Sequence, residues 1–157
     1  MKSIMETSLK RIVHLLLLAA LSILTVNAKV ISYPAPKGET LSSDYMVEVD
    51  GVSVPVYMAK TQHHDKKYSI AYFDFSGTVT VKIESKLSLG HLNILPDKYA
   101  IHPSVNKDIA TFHLNEPCDI SFEPDGCNSP LILFCNELET DIPSKNDPNV
   151  IYFGPGE

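Results

Sequence analysis

From Lys29 onward the chain holds no long stretch of helical periodicity; apolar and polar residues alternate in short runs separated by turn signals, which is the pattern of an all-β protein. In YMVEVDGVSVPVY a two-residue turn at Asp50-Gly51 sets Val49 opposite Val52, Val47 opposite Val54 and Tyr45 opposite Val56. All six are apolar and share one face, so the register is that of a type I′ hairpin. Pro55 has no N–H, which predicts an edge strand or a position turned away from any neighbour. In YSIAYFDFSGTVTVKIE, a two-residue turn at Ser76-Gly77 would oppose Phe75 to polar Thr78. A three-residue loop of Ser76, Gly77 and Thr78 instead pairs Phe75 with Val79, Phe73 with Val81 and Ala71 with Ile83, with Gly77 at positive φ. Tyr72, Asp74, Thr80, Lys82 and Glu84 then fall on the opposite, wet face. Further strands are predicted near residues 30–33, 91–95, 110–114, 119–122, 131–134 and 150–153. About nine short strands predict an antiparallel two-sheet β-sandwich around one core.

The first 28 residues stand outside this pattern. Lys2, Lys10 and Arg11 form a basic start, residues 12–26 are almost purely apolar, and Val26-Asn27-Ala28 ends on small residues. This is the composition of a cleavable signal peptide, here 1–28, with a short hydrophobic helix. The 15-residue apolar run is shorter than the ~20 residues a spanning helix needs, so no permanent membrane anchor is expected. No Cys follows it, as a lipoprotein would require. The expected location is secreted or periplasmic.

Removing that segment changes the charge. The whole chain has 157 residues and a net charge of −6, whereas residues 29–157 contain 10 Lys and no Arg against 18 Asp and Glu, a net charge of −8. Such a chain lacks the basic footprint of a nucleic-acid-binding protein. It also lacks the guanidinium that grips anionic groups in a bidentate fork.

The alternation fades after residue 142. In IPSKNDPNVIYFGPGE, Pro, Asn and Asp surround one short apolar run before a Gly-Pro-Gly turn, which divides the mature chain into a sandwich at 29–142 and a linker or strand at 143–157.

YSIAYFDFSGTVTVKI, ISFEPDGCNSPLILF and DPNVIYFGPGE together resemble the N-terminal β-sandwich module of secreted glycoside hydrolases with a right-handed parallel β-helix, the polygalacturonase-like and dextranase-like enzymes. The resemblance covers roughly residues 30–157. It implies that the IYFGPG segment leads toward a catalytic β-helix of the same polypeptide, and that this chain is a non-catalytic accessory domain that docks on it or contacts polysaccharide. The Asn-Thr-Asp and Asp-Asp patterns that polygalacturonase-like catalytic sites display do not occur in the sequence. A freestanding carbohydrate-binding module is the alternative, and a self-sufficient hydrolase the third reading.

The residues themselves bear on these readings. On a strand, Glu137 and Glu139 would place carboxyls about 6–7 Å apart on one face, a spacing compatible with glycoside hydrolysis. Leu138 is the sole apolar residue between Asn136 and Thr140, so the segment reads as a solvated face and not a cleft that raises a pKa. Asp74, between Phe73 and Phe75, is turned outward by the alternation. His63-His64-Asp65 offers three metal ligands in a row, but neighbours on an extended chain point to opposite faces and Lys66-Lys67 would repel a cation, so a solvated loop is expected. His91, His102 and His113 have no partner motif, and no metal or cofactor is expected. For carbohydrate contact the residues singled out are Tyr72, as a stacking platform, with Asp74 and Lys82 as polar neighbours; the same exposed face would equally serve docking.

Three cysteines remain in a chain addressed for export, where oxidation is possible. If Phe122 opposes Leu131 across the Pro-Asp-Gly region, then Ile120 opposes Leu133 and Cys118 opposes Cys135, all on one apolar face. Directly opposed Cβ atoms lie ~4.5–5.5 Å apart and a disulfide prefers ~3.8 Å, so a Cys118–Cys135 bridge would need local tightening. Buried, reduced thiols are the other reading. Cys127 would be the unpaired thiol.

Overall fold

The computed structural model describes residues 28–59, 68–125 and 129–154, and among these it is an all-β sandwich of two sheets. The strands are β1 (Lys29–Ser32), β2 (Tyr45–Val49), β3 (Val52–Val54), β4 (Val56–Ala59), β5 (Tyr68–Ser76), β6 (Val79–Ser85), β7 (Asn93–Leu95), β8 (Ser104–Asn106), β9 (Ile109–Leu114), β10 (Cys118–Glu123) and β11 (Leu131–Glu137). A single 3-10 turn, Asp97–Tyr99, is the only helical element among them. No helix of the described residues is long and apolar enough to cross a membrane.

Sheet A runs β1-β5-β11-β10-β7, with β4 also pairing β5; sheet B runs β3-β2-β6-β9-β8. All pairings are antiparallel except β11 with β5, which run parallel at the centre of sheet A. The inward residues of both sheets form one core. Phe73, Phe75, Phe122, Leu131 and Leu133 of sheet A face Val47, Val49, Val81, Ile83 and Phe112 of sheet B, all nearly or fully excluded from solvent. The fold follows from the alternation, because every second residue of each strand is apolar and can only be removed from water by a facing sheet.

The first hairpin forms as expected over its first two pairs, Val49 with Val52 and Val47 with Val54. Asp50 (φ 46°) and Gly51 (φ 81°) both take the left-handed region that a type I′ turn requires, and Asp50 Oδ1 accepts the Thr80 N–H at 2.8 Å. The third expected pair does not form. At Pro55 the chain leaves sheet B for sheet A, so Tyr45 lies opposite Ser85 and Val56 opposite Ala71. Pro55 joins two edge segments, where the missing N–H leaves no ladder bond unmade.

The second hairpin is a correction. β5 and β6 lie in different sheets, and Ser76-Gly77-Thr78 is an arch over the end of the core, with Gly77 at φ 73°. Phe73, Phe75, Val79, Val81 and Ile83 all point inward as read from the alternation, yet they meet across the sandwich and not along a ladder. An arch and a hairpin bury the same alternate residues, so the pattern cannot separate them.

The strand expected at 150–153 is also absent. The Val150 N–H is bound to the Asp147 carbonyl (3.0 Å) and the Asn149 N–H to Asp147 Oδ1 (2.9 Å), so turn bonds replace a ladder. Nor is an edge of β5 open to this segment, since β1 and β4 occupy one side and β11 the other.

Candidate functional site

The two outer faces of the sandwich differ in chemistry. On sheet B the register turns Met46, Glu48, Thr80, Lys82, Glu84 and His113 outward, an ordinary solvated surface. On sheet A β10 turns out Asp119, Ser121 and Glu123, whereas β1, β4, β5 and β11 turn out Ile31, Tyr57, Ile70, Tyr72, Ile132 and Phe134. The side chains of these last four strands are half-buried, except Tyr72, which is 40% exposed. The cause lies in β5 and β11, whose segments SIAYFDF and LILF are apolar at nearly every position, as in strands covered on both faces.

A groove of ≈ 600 Å³ opens on this face. β1 ends its pairing with β5 at Phe73 and β4 begins at Ala71, so nothing pairs on that side of Tyr72, and the two strands diverge there. Tyr33, Tyr57 and Tyr72 form one side of the groove; Glu139, Tyr152 and Phe153, from the segment that follows β11, close it. The Tyr33 and Tyr72 rings pack at 5.2 Å with a 51° tilt, and Lys145 Nζ sits 4.1 Å over the Tyr152 ring. Two residues from Tyr72 on the same face lies Asp74, only 2% exposed. The Tyr33 hydroxyl donates to Asp74 Oδ2, whereas Oδ1 is buried with no hydrogen-bond partner among the described residues.

Burial raises the Tyr33 phenol well above the ordinary tyrosine value, and the hydrogen bond to Asp74 and the nearby negative charge add to the shift. Tyr72 is raised by burial and by the charges of Asp74 and Glu139, partly countered by its hydrogen bond with Asn136; Tyr57 is raised by burial and Glu39. All three phenols therefore stay protonated at neutral pH as donors and acceptors. A folded-state value above the unfolded one means stabilisation that is complete below about pH 10 and lost as pH rises further through the folded value. The expected result is a stability that declines above about pH 10 in alkaline unfolding titrations. Tyr33→Phe should flatten that decline and, by stripping the donor from a buried carboxylate, cost about 1–3 kcal/mol at neutral pH. An unchanged denaturation midpoint in that variant would show that Tyr33 does not hold Asp74.

The residues read from the sequence are brought together in part. Tyr72 and Asp74 share one face, but Asp74 is buried under Tyr33 and does not reach out to solvent as the alternation had indicated. Lys82 is a correction: because β6 belongs to sheet B, it lies on the far outer face, between Glu48 and Thr111 in the register. Of the two glutamates, Glu137 ends β11 and Glu139 lies beyond it; both are exposed, and only Glu139 lines the groove. His63, His64 and Asp65 lie outside the described residues, as does Cys127. His91, His102 and His113 are exposed, and no group of three metal-ligating side chains occurs among the described residues. Tyr33, Tyr57, Ile70, Ile132 and Phe134 were not singled out from the sequence; the doubly apolar runs of β5 and β11 were the available signal.

The cysteine register is the one derived from the hydrophobic face: Phe122 opposite Leu131, Ile120 opposite Leu133, Cys118 opposite Cys135. Both are free thiols in this structure, 6% and 1% exposed. Cys118 forms part of the wall of a second hollow of ≈ 430 Å³, beside His102, His113 and Glu116. The hydrogen bond from Cys135 lowers the Cys118 thiol, while the same contact and burial raise Cys135, so Cys118 ionises first.

Neither a protein-family profile nor a curated protein matches the sequence. The fold does have a counterpart. The chain is similar in structure to Dex49A from Penicillium minioluteum, a glycoside hydrolase (dextranase), with a TM-score of 0.54 and 15% identity. The match covers 77% of this chain but 33% of Dex49A, so the chain spans about a third of the length of that protein. The likeness is one of fold: this sandwich is built like part of Dex49A.

Proposed function

We propose that this chain is a non-catalytic accessory domain of a secreted polysaccharide-degrading glycoside hydrolase, and that the outer face of sheet A is where it docks onto a β-helical catalytic domain of the same polypeptide. The observation that carries the reading is the asymmetry of the two outer faces. A sandwich standing alone keeps both outer faces polar, whereas Ile70, Ile132 and Phe134 form an apolar centre on sheet A while sheet B shows charges. The segment after β11 runs over the same face and carries Ile151 and Phe153, 85% and 76% exposed, apolar surface that a following domain would cover. Removal of a signal peptide at 1–28 belongs to this reading, since the partner enzyme would meet its polymeric substrate outside the cell. The shared fold with a third of Dex49A supports it.

Two measurements test the proposal. Reading the coding DNA downstream of Glu157 should reveal a continuing frame with the repeats of a parallel β-helix; an immediate stop codon would sink docking in cis. In the full polypeptide, Phe134→Glu should lower the melting temperature of the catalytic part and expose the linker at 143–157 to protease, while Lys82→Ala on the opposite face should do neither. Equal behaviour of the two variants would mean that sheet A is not the interface.

A further inference from the structure

We propose that the hollow beside Cys118 is a site of thiol–disulfide exchange, one that seats small neutral or cationic disulfides and disfavours anionic ones. It shares no lining residue with the groove on sheet A, so it stands apart from the docking face.

The fold builds the hollow where the chain changes sheets. Between Leu114, the last residue of β9, and Cys118, the first of β10, only Asn115, Glu116 and Pro117 carry the chain from sheet B to sheet A. This crossing is one wall; the residues from Tyr99 to His102 and Thr78 of the arch supply the others. The enclosed ≈ 430 Å³ falls within the range of small-molecule pockets, about 300–1,000 Å³. Cys118 is in the wall, whereas its ladder partner Cys135 is not in the lining and is 1% exposed. A reagent in the hollow therefore meets one sulfur of the pair.

That asymmetry sets the course of exchange. The Cys118 thiolate attacks a sulfur of the reagent; the reagent's S–S bond breaks, one half becomes bonded to Cys118, and the other leaves as a thiolate. The attached half stays in the hollow until Cys135 gives up its proton and displaces it. Burial and the contact with Cys118 raise the Cys135 thiol, so this second step is the slower one. The hollow must accommodate the attached group meanwhile, and its charges choose which groups fit. The charges that act on Cys118 are those of Asp119 and Glu116, both negative, and Glu116 is part of the wall. No Lys or Arg is in the lining; Lys98 rests on the Tyr99 ring, 4.6 Å from its centre. The other titratable groups of the wall are Tyr99, His102 and His113, and His113 Nδ1 lies 3.2 Å from Thr80 Oγ1. An ammonium on the reagent is drawn to this field and a carboxylate is repelled.

The test takes the whole protein, reduced and carrying Cys127→Ser so that the pair alone reports, at about pH 8, above the ordinary imidazole range. Cystamine, hydroxyethyl disulfide and glutathione disulfide are the cationic, neutral and anionic probes. The rate of adduct formation, followed by intact mass after acid quenching, is divided by each reagent's rate with N-acetylcysteine amide to remove intrinsic reactivity. Cystamine should lead glutathione disulfide by about tenfold at low ionic strength, with the neutral reagent between them, and salt should close the gap. Cys135→Ser should hold the adduct at Cys118 without resolving it. Cys118→Ser should react about tenfold more slowly, since the remaining sulfur is out of reach. Glu116→Gln should narrow the gap between reagents; Glu48→Gln, on the outer face of sheet B, should not. Equal normalised rates for cystamine and glutathione disulfide in the unsubstituted pair would overturn the proposal without recourse to any variant in the hollow. So would an adduct that forms on Cys135 as fast as on Cys118, or identical behaviour of the two glutamate variants.

Discussion

Phe73→Ala should cost the sandwich about 3–5 kcal/mol, the range for removing a fully buried aromatic ring from a close-packed core. Phe73 has no accessible surface, lies in β5 between Ser32 of β1 and Cys135 of β11, and stacks at 5.9 Å on Phe75. Its neighbours belong to the two strands that flank it and to the opposite sheet, so little can collapse into the space it leaves. Phe134→Ala makes the informative contrast, because Phe134 is on the outer face of the adjoining strand and only half-buried. In the separate accessory chain it should cost about 1 kcal/mol or less, since part of its apolar surface is already in water. Urea unfolding of the two variants measures both. Equal losses would show that the outer face of sheet A belongs to the core of the sandwich, and the docking reading would lose its main support.

The same two residues show what was legible in the sequence. Alternation told which side chains turn inward, because a side chain on a strand has two choices and water decides between them. It placed Phe73, Phe75, Val81 and Ile83 in the core, Val47 opposite Val54, and Cys118 opposite Cys135. It did not tell which strand lies beside which. The parallel pairing of β5 with β11 joins segments separated by about half of the domain, and no local rule encodes it. The arch at Gly77 was read as a hairpin for the same reason, and that error moved Lys82 from sheet B to the side of Tyr72. Asp74 failed differently. Its outward direction was right, but a second layer, Tyr33, lies over it, and an overlying residue leaves no trace in the local pattern. The groove stayed hidden because it depends on β1 and β4 sharing one edge of β5.

Oxidation of Cys118 and Cys135 to a disulfide should stabilise the chain by about 3 kcal/mol, the loop-closure value for a bridge spanning this length of chain. The two residues are directly opposed in an antiparallel ladder, both side chains face the core, and their thiols are within hydrogen-bonding reach. The chemistry has an order. Cys118 borders the hollow beside His102 and His113 and ionises first, so its thiolate attacks a small-molecule disulfide and releases one thiolate of that reagent. The more deeply buried Cys135 then loses its proton and displaces the second half of the reagent, leaving the Cys118–Cys135 bond and two reduced thiols in solution. Because the attacking thiol must be ionised, formation should accelerate as pH rises from 6 to 8. Non-reducing peptide mapping of protein exported to an oxidising compartment should recover a Cys118–Cys135 linked pair, with Cys127 open to alkylation. The melting temperature should fall on reduction in the native chain and stay unchanged in Cys135→Ser. Rapid alkylation of both Cys118 and Cys135 in the native protein, or a bridge that includes Cys127, would show that the strand register does not bring these two sulfurs together in solution.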